Sequence, residues 1–188
     1  MISAAQSERI DWEGALVQRA RGGDVRAFER LYREHIGRVY GLCLRLLRDP
    51  TNAEDCAQEA FINAWRGLKN FETRSAFGTW LHRIAVNVAL ARRRRPGWTM
   101  QPQSDPDAED EPVEVEWTLD TPVEVSEIEA AVGELPEGAR DVLVLCGIYG
   151  YSHGEASEML GVAEGTCKAQ LHRARSLLRR KLSPESSP

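Results

Sequence analysis

Residues 161–181 read Gly-Val-Ala-Glu-Gly-Thr-Cys-Lys-Ala-Gln-Leu-His-Arg-Ala-Arg-Ser-Leu-Leu-Arg-Arg-Lys, a stretch with six cationic side chains in a chain of 188 residues whose formal charge is −5. Just upstream, Ser152-His-Gly-Glu155 has capping-box form, which predicts a short helix running to about Leu160. Gly161-Val162 then makes a tight turn, and the quoted stretch becomes a long last helix. A short helix, a Gly-containing turn and a longer basic helix form the helix-turn-helix pattern. In that arrangement the second helix lies in the DNA major groove, with its first turns at the base edges. Ala156, Leu160, Val162, Leu171 and Ala174 fit the inward positions. Glu164, Thr166, Lys168, Gln170, Arg173 and Arg175, with Ala169 and His172, fall on the outer face. Thr166 and Lys168 suit phosphates, and the helix N-terminus is itself an anion site. Gln170 suits adenine and Arg173 guanine, each bidentate pair contributing ~1–3 kcal/mol of discrimination. The plainer alternative is a solvated basic helix whose arginines are surface charge.

The charge around this stretch is uneven. Residues 1–97 carry 17 Lys/Arg against 11 Asp/Glu, residues 98–134 carry 12 acids and no base, and residues 135–188 carry 7 bases against 6 acids. Two slightly basic blocks flanking an acidic segment point to a polyanionic partner. Residues 96–123 hold Pro96, Pro102, Pro106, Pro112 and Pro122 among acids, with few core-forming side chains. That composition reads as a flexible acidic linker. The expected fold is all-α: two small helical domains, 13–95 and 124–182, joined by the linker 96–123, the C-terminal one a helix-turn-helix. In the second domain a helix near 124–134 precedes one starting at Leu135-Pro136, with Ala139, Val142, Leu143, Leu145, Cys146 and Ile148 as its apolar set.

The first block is helical throughout. A short helix near 13–21 precedes one capped by Asp24, in which Phe28, Leu31, Tyr32, Ile36, Val39, Tyr40 and Cys43 recur at spacings of three and four. Asp49-Pro50 breaks the pattern, and Thr51-Asn-Ala-Glu54 has capping-box form. The next stripe is Ala53, Cys56, Ala57, Ala60, Phe61, Ala64, Trp65 and Leu68. A loop at 69–74 follows. Ser75 opens the next helix, with Phe77, Trp80, Leu81, Ile84, Ala85 and Val88 inward, running into Arg92–Arg95 and stopped by Pro96.

Phe71, Phe77 and Trp80 stand near Lys69, Arg74, Arg83 and the arginine run. Aromatic faces among cations suit unstacked bases, at ~1–3 kcal/mol per base stacked. For Phe77 and Trp80 the helical spacing favours a core role, and an arginine run at a helix end complements the helix dipole without reading anything. On the preceding helix Asp55, Gln58, Glu59 and Asn63, with Glu54, crowd one polar side. An ordinary solvent face and a docking face for a protein both fit that pattern.

Other function classes find little support. Cys43, Cys56, Cys146 and Cys167 are widely spaced and the four histidines scattered, so no metal cluster is expected and the thiols read as semi-buried. No nucleophile–base pair or phosphate-cradling glycine loop argues for an enzyme, and no cofactor is expected. No apolar run approaches the ~20 residues of a membrane span, and the start lacks a signal peptide, so a cytoplasmic location without membrane insertion is expected. An autonomous helix-turn-helix repressor or activator remains the competing class; it requires a dimer and two half-sites.

Four segments taken together resemble bacterial sigma factors of the extracytoplasmic-function type, in the right order and across residues 13–95 and 124–182. They are Asp55-Cys-Ala-Gln-Glu-Ala-Phe-Ile-Asn-Ala-Trp65, Ser75-Ala-Phe-Gly-Thr-Trp-Leu-His-Arg-Ile-Ala-Val-Asn87, Leu135-Pro-Glu-Gly-Ala-Arg140 and Gly165-Thr-Cys-Lys-Ala-Gln-Leu-His-Arg-Ala-Arg175. The resemblance implies a promoter-specificity subunit that binds core RNA polymerase and promoter DNA without catalysis of its own, commonly held by an anti-sigma factor. It makes Asp55, Gln58, Glu59 and Asn63 polymerase contacts on the helix at 53–68. It makes Lys69, Phe71, Arg74, Ser75, Phe77, Trp80, Arg83 and Asn87 the minus-ten segment, with Asn87 at a base-reading position. Glu164, Thr166, Lys168, Gln170, Arg173 and Arg175 become minus-thirty-five contacts. This chain has Cys167, Ala169 and Gln170 where the group usually reads Gly-Thr-Val-Lys-Ser-Arg, so a different promoter preference is expected there. It also has Ala91-Arg-Arg-Arg-Arg in place of the usual Asp-x-x-Arg-Arg.

Overall fold

In the computed structural model, residues 4–72, 75–94 and 125–182 are described. They contain helices and turns, and no strand is present among them. The chain divides into two compact units, residues 1–96 and 97–188. The linker expected at 96–123 lies outside the described residues, as do Arg74, Arg95 and Pro96.

The first unit contains α1 (Ala4–Arg21), α2 (Val25–Leu47), α3 (Pro50–Gly67), a 3-10 turn (Leu68–Asn70) and α4 (Phe77–Arg93). α1 begins at Ala4, well before the expected residue 13. Asp24 caps α2 as expected, its carboxylate accepting from the Ala27 amide at 3.1 Å and pairing with Arg19 at 2.7 Å. The start of α3 differs from expectation. Asp49, not Thr51, is the cap: its side chain accepts from the Asn52 amide at 2.6 Å. Pro50 then takes the first helical position, where its missing N–H leaves nothing unpaired. Thr51 lies inside the first turn and Glu54 just beyond it. α4 likewise starts at Phe77 after Ala76, with no side-chain cap, and Ser75 is exposed just outside it.

The core of this unit is built on small residues. Ala53, Ala57, Ala60 and Ala64 form a buried stripe on α3, which lets α2 and α4 approach its backbone closely. Leu31, Val39, Leu42 and Leu46 of α2 and Leu81, Ala85, Val86 and Ala89 of α4 complete the interior. Cys43 and Cys56 meet in this layer, the Cys43 Sγ donating to Cys56 Sγ at 3.1 Å. That hydrogen bond, together with burial, pushes the Cys43 thiol far up, so its sulfur acts as a small apolar group. Trp65, expected inward, stands at the surface, because the alanine stripe sets the rotation of α3, and Tyr32 of α2 stands there with it.

The second unit contains α5 (Val125–Gly133), α6 (Glu137–Val142), α7 (His153–Leu160) and α8 (Glu164–Leu182). α6 runs on without a break into Leu143–Ile148, which is wound as a π-helix, the Tyr149 amide donating to the Val144 carbonyl at 3.0 Å. The wider turn shifts the register of the apolar face. Val144 and Leu145 are therefore buried, whereas Cys146 is half-exposed and Ile148, expected inward, is exposed. Gly147 leaves room for Leu143 in this segment, since a β-carbon there would sit 3.1 Å from the Leu143 side chain.

Candidate nucleic-acid and partner-binding surfaces

The helix-turn-helix forms as its sequence dictates. Ser152 Oγ accepts from the Glu155 amide at 3.3 Å while Glu155 Oε2 accepts from the Ser152 amide at 2.9 Å, a complete capping box. Gly161 ends α7 in the left-handed region at φ 70°, which glycine adopts without steric cost. Its N–H donates to the Ser157 carbonyl at 2.9 Å. Cys167, Leu171, Ala174 and Leu178 bury one face of α8, and Ala156 and Met159 bury the inner face of α7. Leu160 and Val162, expected inward, are half-buried and exposed: Met159 takes the interior position.

Glu164, Thr166, Lys168 and Ala169 project to solvent from the first two turns of α8, and Arg173 and Arg175 are half-buried further along. Glu164 and Lys168 pair at 2.9 Å one turn apart, and the Lys168 ammonium holds the Glu164 carboxyl below its ordinary range. Gln170 departs from the expectation. Its side chain lies against α6, where a β-carbon on Gly138 would be 3.5 Å from the Gln170 Cδ, and its Oε1 is buried. In this conformation the Gln170 amide oxygen faces α6 and not the outer face of α8. Cys167 is core, not a reading residue. Lys181 is committed within the fold, paired with Glu134.

In the first unit the aromatic residues turn inward on one another. Ring centroids of Phe71 and Trp80 lie 4.8 Å apart, of Phe77 and Trp80 5.8 Å, and of Phe71 and Phe77 6.2 Å. Trp80 also covers Gly67, where a β-carbon would come within 3.4 Å of its Cζ2. Phe71 and Phe77 are buried, as the core reading of the aromatic spacing expects: their faces pack on each other and on Trp80, which stays half-exposed. Together they hold the two ends of the 71–77 segment. Lys69, Ser75 and Asn87 are exposed and Arg83 is half-buried. The Lys69 carbonyl accepts from Arg21 of α1 at 3.3 Å.

The polar side of α3 carries Asp55 and Gln58, exposed, with Glu59 and Asn63 half-buried. Gln58 donates to Glu54 at 3.4 Å. Arg92, expected as part of a solvated helix end, instead reaches from α4 to Glu59 at 2.9 Å and Asp55 at 3.4 Å. Arg93 donates to the Leu46 carbonyl at 3.4 Å. Beside this face stands an apolar ridge that the sequence pattern had turned inward. Phe28 packs on Trp65 at 4.8 Å and Tyr32 on Phe61 at 4.6 Å, leaving Tyr32 and Trp65 each 36% exposed and Ile62 51% exposed. Ile62 breaks the helical stripe outward, and that single misfit is the sequence signal for the ridge. No helix among the described residues is long and apolar enough to cross a membrane, and they contain no cluster of three or more metal-ligating side chains.

Residues 31–99 match the Sigma-70 region 2 family and residues 126–178 match Sigma-70, region 4. The RNA polymerase sigma-H factor of Pseudomonas aeruginosa is 39% identical over 184 residues, covering 90% of this chain and 93% of that protein. The ECF RNA polymerase sigma-E factor of Haemophilus influenzae is 36% identical, covering 90% of this chain and 95% of its own length. Among solved structures, CnrH in complex with the cytosolic domain of CnrY superposes with a TM-score of 0.63 at 26% identity, covering 93% of this chain and 99% of that one. Family matches in both units, in this order and over nearly the whole of each relative, leave one assignment: the chain belongs to the extracytoplasmic-function group of the sigma-70 family, the non-enzymatic initiation factors that bind core RNA polymerase and direct it to promoters.

Proposed function

We propose that the two units divide the work of initiation, with 13–95 docking on core polymerase and capturing the minus-ten element, 96–123 acting as tether, and 124–182 reading the minus-thirty-five element as duplex. The observation that carries this reading is the outer face of α8. Glu164, Thr166, Lys168 and Ala169 reach solvent from its first two turns, while Cys167, Leu171 and Ala174 lock the helix in place. Arg173 and Arg175 extend that face towards the phosphates. In the first unit Asn87 and Arg83, one helical turn apart on α4, with Lys69, Ser75 and half-exposed Trp80, supply the minus-ten contacts. Asp55, Gln58, Glu59 and Asn63 take the polymerase, together with the adjoining ridge of Tyr32, Ile62 and Trp65. Charged groups there set register and on-rate, and the aromatic ridge supplies the buried anchors typical of protein interfaces.

The chain acts in the cytoplasm and is held inactive by an anti-sigma protein. The similar CnrH, solved with the cytosolic domain of a second protein, and the exposed ridge both support a protein partner beyond the polymerase. With a net charge of −5, the free chain binds DNA weakly. In-vitro transcription with core polymerase on a promoter library tests the reading. Run-off products that depend on both elements are expected, with a monomer by light scattering and no gel shift by the chain alone. Tight duplex binding by a dimer of the free chain at physiological salt overturns it.

A further inference from the structure

One guanidinium joins the polar side of α3 to the last turn of α4. Arg92 donates through Nη2 to Glu59 Oε2 at 2.9 Å and through Nη1 to Asp55 Oδ2 at 3.4 Å. Asp55 and Glu59 are one helical turn apart, so without the cation their like charges repel and both side chains sample several rotamers. The planar fork of arginine, approaching from a second helix, grips both at once, which a single ammonium does poorly. Arg92 is 15% exposed while Asp55 and Glu59 remain 58% and 39% exposed, so the clasp is braced on its inner side and open on its outer side. Burial works against the cation, but the hydrogen bond it donates to Glu59, the Glu59 charge and then the bond it donates to Asp55 outweigh it and raise its pKa, so Arg92 stays charged. Each carboxylate spends one oxygen on Arg92, which leaves its second oxygen and one net negative charge for a donor from outside.

We propose that Arg92 is a positioning residue for polymerase docking: it fixes Asp55 and Glu59 as a preorganised acceptor pair for a basic surface of the polymerase. The inference rests on assigning the α3 face to polymerase binding, as above. Fixing the two rotamers before contact removes the ordering cost from the binding step. A departure in the sequence now has a physical content, since the arginine run at the end of α4 is partly used to hold the neighbouring helix.

The test measures the affinity of the full chain for core polymerase by anisotropy, with the thermal midpoint of each variant recorded beside it. Arg92→Ala is expected to weaken binding about tenfold, the size of a typical coupling within one ion-pair network, and Arg92→Lys to fall between it and the parent. Both losses should vanish in the Asp55→Asn/Glu59→Gln background, a result that a general loosening of the fold does not produce. If Arg92→Ala does not fold, Arg92→Lys carries the same comparison. Parental affinity in the Arg92 variants, or an undiminished loss in the double background, overturns the positioning role while the docking face stands. If Asp55→Asn/Glu59→Gln itself binds polymerase as the parent does, the docking assignment fails and this role with it.

Discussion

α4 and α8 look alike as sequences: both are basic, and both carry the residues expected to meet DNA. They use those residues in opposite ways. α4 turns much of its chemistry into the domain. Phe77 and Trp80 close on Phe71, Arg92 clasps α3, Arg93 binds the end of α2, and His82 is buried. α8 sends Glu164, Thr166 and Lys168 outward and keeps small or aliphatic groups within. α4 is packed between α2 and α3 in a three-helix core, so its flanks are needed for adhesion. In the first turns of α8 only the side carrying Cys167 and Leu171 is covered. The cation count of a helix is therefore a poor measure of its reading face.

The largest test of this contrast lies in the aromatic cluster. Phe77→Ala should destabilise the first domain by about 3–5 kcal/mol, the usual cost of emptying a buried aromatic site, and is read by chemical denaturation. Phe71→Leu sharpens the point, because it keeps the apolar volume and removes the ring. Nearly parental promoter opening by permanganate footprinting is expected if Phe71 packs; a loss confined to opening, with stability kept, restores a stacking role.

His82 offers a second test of the inward use of α4. Burial first, then the charges of Arg38 and His35, push its pKa down to about 4 from an ordinary 6.5. Above pH 6.5 the ring is neutral in both states; between 6.5 and 4 only the unfolded chain takes up the proton. Acidification through that window therefore favours unfolding, by about 3 kcal/mol from this residue by pH 4. His82→Gln should flatten that part of the stability profile relative to the parent, and an unchanged slope would place the imidazole in solvent.

The smallest effects belong to α8. Lys168→Ala should weaken all minus-thirty-five duplexes alike and lower the salt slope of binding by about one. Glu164→Gln should do the reverse, strengthening binding a few-fold, because Lys168 no longer has a competing partner. Gln170→Ala should leave the order of preferred sequences unchanged, as measured by competition among duplexes joined to polymerase. A reordered preference would mean that its amide swings out from Gly138 on binding.

Much of this was legible locally. The Ser152–Glu155 capping box, the turn at Gly161 and the cap at Asp24 are short-range features, and the four motifs in register carried the family. The errors have physical causes. Asp49 outcompeted Thr51 for the α3 cap because Pro50 fits the first helical position. The π-helix at 143–148 moved the apolar face by a residue, which periodicity alone cannot foresee. The exposed ridge was misassigned because α3 has two apolar stripes, and spacing does not tell which one faces the core.

The sequence by itself determined the helices, their order, the helix-turn-helix and the class of partner, since caps, turns and amphipathic period act between residues three or four apart. Tertiary structure alone decided which chemistry remains available at the surface. Arg92 meets partners 33 and 37 positions earlier in the chain. Phe71 closes on Phe77 and Trp80, and Gln170 rests on Gly138. Each of these contacts depends on how far one helix is rotated against another, and that angle is set by the close packing of the whole core, here by the alanine stripe of α3 and the buried face of α8.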